Sequence, residues 1–300
     1  MSFSAGSGLP RWLDGPGAGG AWKQSPEDFE VEELPFAPPT GAGEHQWFRI
    51  EKTGHGTLDV AEALAKAAGV PLSVVGYAGM KDREARTIQE FTVQLGSEVE
   101  SLPEGMRILE RGRTARRLRV GQLAGNRFGI RVRGGDASIA AERIARLEAV
   151  PNYYGMQRVG GRAPRDGRAI VLGGGPRLRF HGLKFALSAY QSVLFNRVLV
   201  ERRRSRLDGD LDEGGIPTGP IFGSRMRWPE GAARELEERI LAAEERPPDA
   251  WARFGKLTQG SRRPLWLVVR PELEPLEDGF RLRFQLPAGA YATVLLEEIL

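Results

Sequence analysis

Apolar and polar residues alternate near both ends of the chain, whereas its middle repeats apolar residues at helical spacing. Phe29, Val31 and Glu33 alternate with acids before a Pro/Gly-rich loop, and a second alternating run covers residues 46–52. Alternation predicts strands with one buried face, and a spacing of three or four residues predicts helices. The pattern therefore predicts an α+β fold in which a helical segment interrupts a strand-rich chain.

Caps and stops delimit the predicted helices. Thr57 and Asp136 stand where N-terminal caps are expected, and Gly69 and Pro151 stand where the first two helices should end. The helices are predicted over residues 57–68, 136–150, 184–206 and 232–245, and a last one opens after residue 287. Further strands are predicted over residues 87–95, 265–269 and 280–286, with loops over residues 161–180 and 208–220.

A short stretch between two predicted strands combines glycines with charge. Residues 76–83 read Gly-Tyr-Ala-Gly-Met-Lys-Asp-Arg, so that Asp82 lies between Lys81 and Arg83. Neighbouring cations favour the ionised form of a carboxyl group. Taken alone, this stretch also fits a solvated loop with a surface ion pair, which contributes little to stability.

Arginine dominates the segment from residue 107 to residue 133, which holds nine arginines and one acid, Glu110. Leu118 and Val120, and then residues 128–132, alternate with arginine, which predicts a hairpin with one apolar and one cationic face. A single-sign stripe of this kind is typical of nucleic-acid binding, although a solvated face is the alternative. Aromatic residues beside Arg158 also fit base stacking.

Amino-acid composition excludes several functional classes of protein. The 300 residues include no cysteine and three histidines, which excludes thiolate sites and makes a metal centre unexpected. The net charge of +4 and pI near 9.5 hint at an anionic partner. No apolar run is long enough for a transmembrane helix and no signal peptide is evident. We therefore expect a cytoplasmic monomer without metal or membrane contact.

Seven segments, in the same order, resemble the tRNA pseudouridine synthase D (TruD) family from about residue 23 to the end of the chain. One such segment would be a weak signal, but seven in order form a specific match. They are Lys23 with residues 26–33, then residues 43–45, 78–82, 125–128, 151–158, 192–196 and 286–293.

The resemblance implies a cofactor-free isomerase that converts a uridine of tRNA, position 13 in the family, into pseudouridine. It implies the pseudouridine-synthase catalytic fold, a mixed, mainly antiparallel sheet with flanking helices, over residues 21–154 and 261–300. Residues 1–20 would be flexible. Residues 155–260 would form an inserted domain, short for the family, that makes one wall of the RNA cleft.

The resemblance also implies residue roles. Asp82 falls on the family's catalytic aspartate and Lys23 on its active-site lysine. The uridine-contacting positions are Phe29, Asn126 and Tyr291, with Phe128 as a second aromatic side chain beside them. Tyr291 stands where phenylalanine also occurs in the family. Among the cations, we expect contacts with the RNA backbone from Lys81, Arg83, Arg116, Arg117 and Arg158.

The residue types suit this chemistry. A carboxylate can act as nucleophile or base at the ribose or the uracil ring, and an aromatic side chain can receive a base that has left its stack. Glycines near Asp82 would let a ribose approach. Two alternatives stay open: a non-catalytic RNA-binding protein, and a hydrolase that pairs Asp82 with Glu33 or Glu84.

Overall fold

The computed structural model of the protein describes residues 8–94, 96–244 and 248–300. Strands from both ends of the chain combine in one nine-stranded sheet. The sheet comprises β1 (Ala21–Trp22), β2 (Phe29–Pro35), β3 (His45–Lys52), β4 (Val75–Tyr77), β5 (Arg86–Gln94), β6 (Met106–Thr114), β7 (Leu123–Arg133), β13 (Glu272–Leu276) and β14 (Gly279–Pro287). Its order is β13-β14-β7-β2-β5-β3-β6, and β1 also pairs with β7 and β4 with β5. The pairing of β2 with β5 is parallel and the other pairings in this sheet are antiparallel.

The remaining strands form two small sheets, and the helices flank the large one. These strands are β8 (Val150–Pro151), β9 (Asp212–Glu213), β10 (Ile216–Ile221), β11 (Ser261–Pro264) and β12 (Trp266–Leu267). One small sheet has the order β11-β10-β9 and the other pairs β12 with β8. The helices are α1 (Thr57–Ala68), α2 (Ala137–Arg146), α3 (Met156–Val159), α4 (Ala163–Val171), α5 (Phe180–Arg202), α6 (Gly231–Ala243) and α7 (Ala292–Ile299). Short 3-10 segments cover Pro26–Asp28, Leu72–Val74 and Pro248–Thr258.

The mixed, mainly antiparallel sheet with flanking helices confirms the predicted fold class. Different helices cover different parts of the sheet: α1 packs in a cluster with buried residues of β3 and β5, whereas α2 and α7 contribute to a larger cluster with β7 and β14. Residues 95 and 245, predicted as the last residues of a strand and a helix, lie outside the described residues. In the described part of the chain, no helix is long and apolar enough to cross a membrane.

A third cluster lies in the middle of the chain and is built from α4, α5, α6 and the segment Pro248–Thr258. Helix α5 joins two cores, because Leu187 and Leu194 pack in this middle cluster while Phe195 and Leu199 pack in the larger one. The division into a catalytic and an inserted domain remains a prediction. The pairing of β11 with β10 favours a boundary after residue 264 rather than residue 260.

Two loop predictions were wrong. Residues 161–180 contain α4, which packs along α5, and residues 208–220 contain β9 and most of β10. The first turn of α4 holds a proline, whose missing N–H costs no helical bond there. Gly167 permits the close helix contact, because a Cβ there would lie 2.1 Å from the carbonyl oxygen of Ala186.

The predicted helix over residues 184–206 was shifted, since α5 covers Phe180–Arg202. The helix predicted over residues 136–150 begins as expected, because the side chain of Asp136 accepts from the amides of Ser138 and Ile139. It ends four residues early, and Val150–Pro151 instead forms β8 against β12.

The described part of the N-terminal stretch is bound to the fold, contrary to the expectation of a flexible terminus over residues 1–20. The buried guanidinium of Arg143 donates to the carbonyls of residues 13–16, and the Glu298 carboxylate accepts from the amides of Trp12 and Leu13. These contacts link residues more than one hundred positions apart, so local composition does not reveal them. The first seven residues lie outside the described part.

The predicted arginine hairpin is also wrong. Strands β6 and β7 belong to the same sheet, but β3, β5 and β2 separate them. Leu118 and Val120 lie in the loop between β6 and β7 rather than in a strand. Strand order in a sheet follows long-range pairing, which alternation along the chain does not specify.

Candidate active site

Residues 78–85 connect β4 to β5 and include Asp82, the predicted catalytic residue, so we call them the catalytic loop. Buried polar groups hold this loop in place. The Thr57 hydroxyl accepts from the Lys81 amide at 2.8 Å and donates to the Gln89 side chain at 2.9 Å. The Gln89 amide in turn donates to the Gly79 carbonyl at 2.6 Å. Thr57 was predicted to cap α1, but Gly56 holds the cap position. The hydroxyl of Thr57 instead fixes the catalytic loop.

Lys81 anchors the same loop through a buried ion pair. Its ammonium donates to the Glu33 carboxylate at 2.5 Å, and both side chains are buried. Gly79 lies against this pair, since a Cβ there would be 2.8 Å from the Lys81 nitrogen. Breaking a buried pair leaves an uncompensated charge, at a cost of about 3–5 kcal/mol. Lys81 is therefore a structural anchor, and the expectation that it contacts the RNA backbone is corrected.

Asp82 forms its ion pair with Lys23 rather than with the adjacent cations Lys81 and Arg83. The Lys23 ammonium donates to the Asp82 carboxylate and lies 3.4 Å from Glu84. Lys23 directly follows β1 and has a φ of 60°, a left-handed conformation that is uncommon outside glycine. The register of β1 against β7 thus brings together two residues that lie 59 positions apart.

Lys52 is a second cation at this site, and it was not among the predicted site residues. It ends β3 and is almost fully buried, and its ammonium donates to the backbone carbonyls of His55 at 2.6 Å and Asp82 at 2.8 Å. Burial lowers the pKa of Lys52 to about 8, although the Asp82 charge opposes this shift. Sequence offered no signal for this role, since a lysine at a strand end is ordinarily exposed.

The pKa of Asp82 reflects these contacts. Burial alone would raise it, but hydrogen bonds from Lys23 and the Glu84 amide, together with the charges of Lys23 and Lys52, lower the pKa below its ordinary value. The prediction of an ionised Asp82 thus agrees with the geometry, but the cations that lower its pKa are Lys23 and Lys52 rather than the predicted Lys81 and Arg83. Arg83 pairs with Asp59 at 2.8 Å and Lys81 with Glu33.

An aromatic strip extends from the Lys23–Asp82 pair across the sheet. The Lys23 ammonium lies 5.6 Å from the centre of the Phe29 ring, and that ring centre is 6.2 Å from the centre of the Phe128 ring. Two residues before Phe128, Asn126 stands opposite Glu33 of β2. Four of the predicted site residues thus lie in one part of the sheet: Lys23 directly after β1, Phe29 in β2, and Asn126 and Phe128 in β7.

Asn126 has an unused acceptor. Its Oδ1 atom is buried and finds no hydrogen-bond partner among the described residues. Buried polar atoms without partners are rare in folded proteins. An N–H group of a bound ligand would satisfy this oxygen.

Tyr291 lies in a neighbouring group on the edge of the larger core. Its ring centre is 6.0 Å from that of Tyr154, and the guanidinium of Arg263 lies 4.2 Å from the centre of the Tyr154 ring. Burial raises the pKa of the Tyr291 hydroxyl, against the opposing charge of Arg158. Tyr154 and Arg263 support Tyr291 although neither was predicted to do so.

Two glycines, Gly76 in β4 and Gly79 in the catalytic loop, are packed against other protein atoms and do not leave space for an approaching ribose. A Cβ at Gly76 would lie 2.5 Å from both the Leu118 carbonyl oxygen and the Thr92 hydroxyl. The space beside Gly79 is filled by Lys81 and Glu33, as described above. Both positions therefore permit close internal packing, which corrects the expectation drawn from sequence.

The arginines of residues 107–133 divide into two groups. Five form ion pairs with acids that the sheet brings from elsewhere in the chain, so the cationic stripe is largely neutralised. Arg111 and Arg117 donate to backbone carbonyls, and Arg116 and Arg119 form no ion pair within the described residues. The ion pairs are Arg107–Glu51, Arg113–Glu98, Arg127–Glu32, Arg131–Asp278 and Arg133 with Asp28 and Asp278.

The other predicted RNA contacts differ in accessibility. Arg83 is exposed despite its pair with Asp59. Arg158 donates to the Ser188 hydroxyl at 2.7 Å and lies over the Phe185 ring. The guanidinium of Arg117 donates to the Val75 carbonyl at 2.8 Å. No cluster of three or more potential metal ligands is found within residues 8–94, 96–244 and 248–300.

Comparison with known proteins decides the family. The family model of tRNA pseudouridine synthase D (TruD) matches residues 10–173 and 208–299, which is most of the chain. The chain belongs to this family. The match includes the catalytic loop, β1, β2 and β7, and thus every element that positions Lys23 and Asp82.

Individual members of the TruD family support the assignment. The tRNA pseudouridine synthase D of Anaeromyxobacter sp. (strain Fw109-5) is 41% identical, over 95% of this chain and 93% of its own length. That of Thermus thermophilus is 34% identical over 96% of this chain and 90% of its own length. A crystal structure of a putative TruD from Methanosarcina mazei shares the fold, with a TM-score of 0.74 at 20% identity, over 97% of this chain and 96% of its own.

We predict that the free energy of unfolding of the wild type increases relative to that of a Lys52→Met variant as the pH rises from about 8 to 10.5. The folded-state pKa is about 8 and the ordinary value is 10.5, so the unfolded chain binds more protons between these pH values. The penalty for burying the charge is complete below pH 8 and is relieved as pH rises toward 10.5, by at most about 3 kcal/mol.

Urea unfolding of both proteins from pH 7 to pH 10.5 measures the difference directly, and other titrating groups cancel in it. A Lys66→Met variant, on the exposed side of α1, is the control and should show no such trend. A constant difference between wild type and Lys52→Met would contradict the assigned pKa.

Proposed function

We propose that this chain is a pseudouridine synthase that acts on uridine 13 of tRNA, with Asp82 as the nucleophile or base. The observation that carries the proposal is the contact between Lys23 and Asp82, beside the strip of Phe29, Phe128 and Asn126. Family membership supports the reaction class, and the geometry supports the assignment of residues.

The reaction rearranges bonds within one nucleotide. The bond from ribose C1′ to uracil N1 breaks, and a bond from C1′ to uracil C5 forms. The proton displaced from C5 is balanced by the proton gained at N1, so no net oxidation occurs. A carboxylate at the ribose can add to carbon or accept a proton, and the lowered pKa of Asp82 keeps it ionised for either role.

Lys23 positions the carboxylate and balances its charge. Its left-handed backbone directs the side chain from the end of β1 toward the loop, where it also lies near the Phe29 ring. Lys52 holds the Asp82 carbonyl from beneath. The acid is therefore fixed at both its backbone and its side chain before substrate arrives, which is how preorganised sites avoid reorganisation cost.

The aromatic strip would receive the uracil ring. A base must leave its stack before its ribose can be reached, and aromatic faces compensate for the lost stacking. Phe29 is the partly buried ring beside Lys23 that can offer such a face, while Phe128 is buried next to it and stacks on Phe284. The free Oδ1 of Asn126 can accept from the uracil N3–H. Tyr291 would close the pocket from the neighbouring group with Tyr154.

The two alternatives explain less. A protein that only binds RNA does not need a carboxylate beside its cations, since that charge repels phosphate. A hydrolase would need a second acid available to the substrate, but Glu33 is buried against Lys81. Glu84 is exposed and shares Lys23 with Asp82, so a hydrolase would have to use Glu84, and a Glu84→Gln variant tests that role.

Asp82→Asn should abolish pseudouridine formation, by at least about a thousandfold in kcat, because the amide is neither nucleophilic nor basic. Incubation with an unmodified tRNA transcript, followed by mapping of pseudouridine at single-nucleotide resolution, gives the readout. The product should appear at position 13 with the wild type.

Glu84→Gln is the matched control, because it removes the other carboxylate near Lys23 and should retain most activity. A transcript with cytidine at position 13 should yield no product. Turnover by Asp82→Asn would refute the role of Asp82, whereas product at a different uridine would refute the proposed position alone.

Replacing Arg116 and Arg119 by Gln should weaken tRNA binding and reduce the dependence of log Kd on log salt concentration by up to about 2 units. Each lost phosphate contact lowers that slope by roughly 0.7–0.9. These arginines lack acidic partners in the described part of the chain, so their charge is available to phosphate.

Arg107 and Arg113 provide the control pair, since each is already bound to an acid, Glu51 and Glu98 respectively. Replacing them by Gln should change the slope little. Titrations at several salt concentrations measure both variants, and equal slopes for the two pairs would remove the loop after β6 from the RNA surface.

A further inference from the structure

A groove lies beside the catalytic loop, and neither Lys23 nor Asp82 lines it. Its volume is about 540 Å³, which is within the range of small-ligand sites. Strand β4 and the loop between β6 and β7 form its walls. Its lining includes Leu58, Leu72, Tyr77, Arg117, Arg119 and Val120.

The groove presents an apolar surface to solvent. Val120 is 73% exposed, Leu58 43% and Leu72 42%, so three large apolar side chains meet water in one place. Tyr77 adds a half-buried ring that also packs on Phe91. Single exposed apolar residues are ordinary, but a contiguous group of them in a cavity indicates a binding surface.

The rim of the groove carries positive charge without a matching acid among the described residues. Arg117 donates to the Val75 carbonyl, which leaves its charge uncompensated. Arg119 extends from the exposed loop, and Arg116 borders an adjoining cavity of about 500 Å³ that both other arginines also line. An apolar floor with a cationic rim complements a ligand that combines a flat ring with a phosphate.

Backbone contacts join the groove to the catalytic loop. The Gly121 amide donates to the Ala78 carbonyl at 2.8 Å, four residues before Asp82. The Leu118 carbonyl packs directly on Gly76, where any side chain would collide with it. A ligand in the groove therefore lies next to the loop that carries the catalytic acid.

We propose that this groove binds the base of an unpaired nucleotide adjacent to the target uridine, and that its arginines contact the neighbouring phosphate. The proposal rests on the proposed function. When the target uridine leaves its stack, the next base loses a stacking partner. The Tyr77 ring and the aliphatic side chains replace that partner, while Arg117 and Arg119 hold the backbone.

The test combines a change in the protein with a change in the RNA. Val120→Ser is measured against tRNA transcripts that lack the base at one of the two nucleotides flanking the target uridine. For the wild type, one abasic transcript should raise KM about tenfold, as expected for the loss of one stacked base. Val120→Ser should raise KM several-fold with intact tRNA and show no additional effect of that abasic position.

Val268→Ser is the matched control, because Val268 is 64% exposed and lies outside the groove. It should respond to the abasic transcripts as the wild type does. Leu72→Ser provides a second groove variant if thermal unfolding shows that Val120→Ser is destabilised. The loss of the abasic effect in both groove variants, but not in the control, would support the proposal.

The proposal would be overturned if an abasic position raised KM equally in the wild type and in the groove variants. It would also be overturned if neither groove variant changed KM, which is the result expected if the groove bound a protein partner instead. Failure of the proposed function is distinguishable, because the wild type would then form no pseudouridine at position 13 in intact tRNA.

Discussion

The contact between the Lys23 ammonium and the Asp82 carboxylate is the interaction on which the site depends. The two residues come from different strand ends of one sheet, and the pairing of β1 with β7 fixes the lysine. Lys23 adopts a left-handed backbone to reach the acid. Such conformations cost about 1 kcal/mol or more in a residue with a side chain. Contacts with the rest of the sheet must therefore compensate for the cost of this conformation at Lys23.

The underside of the catalytic loop explains why Asp82 keeps its position. Lys52 holds its carbonyl, Lys81 and Glu33 form a buried pair, and Thr57 and Gln89 fix the backbone between them. Burying charges is expensive even when they are paired. Such groups contribute more to the precise placement of the acid than to overall stability, which is the requirement of a preorganised site.

Strand alternation and helical spacing predicted the α+β fold class, and the charged glycine turn drew attention to Asp82, because these are local properties of the sequence. Lys23 was indicated only by the family resemblance. The local patterns did not predict which cations hold the acid, since Lys81 and Arg83 are adjacent in sequence but pair elsewhere. Lys52 was missed for the same reason. The arginine stripe was overestimated because acids from elsewhere in the chain pair with five of its nine arginines, whereas Arg116 and Arg119, in the loop between β6 and β7, form no ion pair within the described residues.

The central claim is that Lys23, rather than the adjacent cations Lys81 and Arg83, lowers the pKa of the Asp82 carboxyl. The most direct measurement is the pKa of the Asp82 carboxyl by NMR titration of carbon-labelled protein, in the wild type, Lys23→Met and Arg83→Met. We predict a pKa below the ordinary 3.8 in the wild type and Arg83→Met, and a clear rise in Lys23→Met. An unchanged pKa in Lys23→Met, or a rise only in Arg83→Met, would contradict the account.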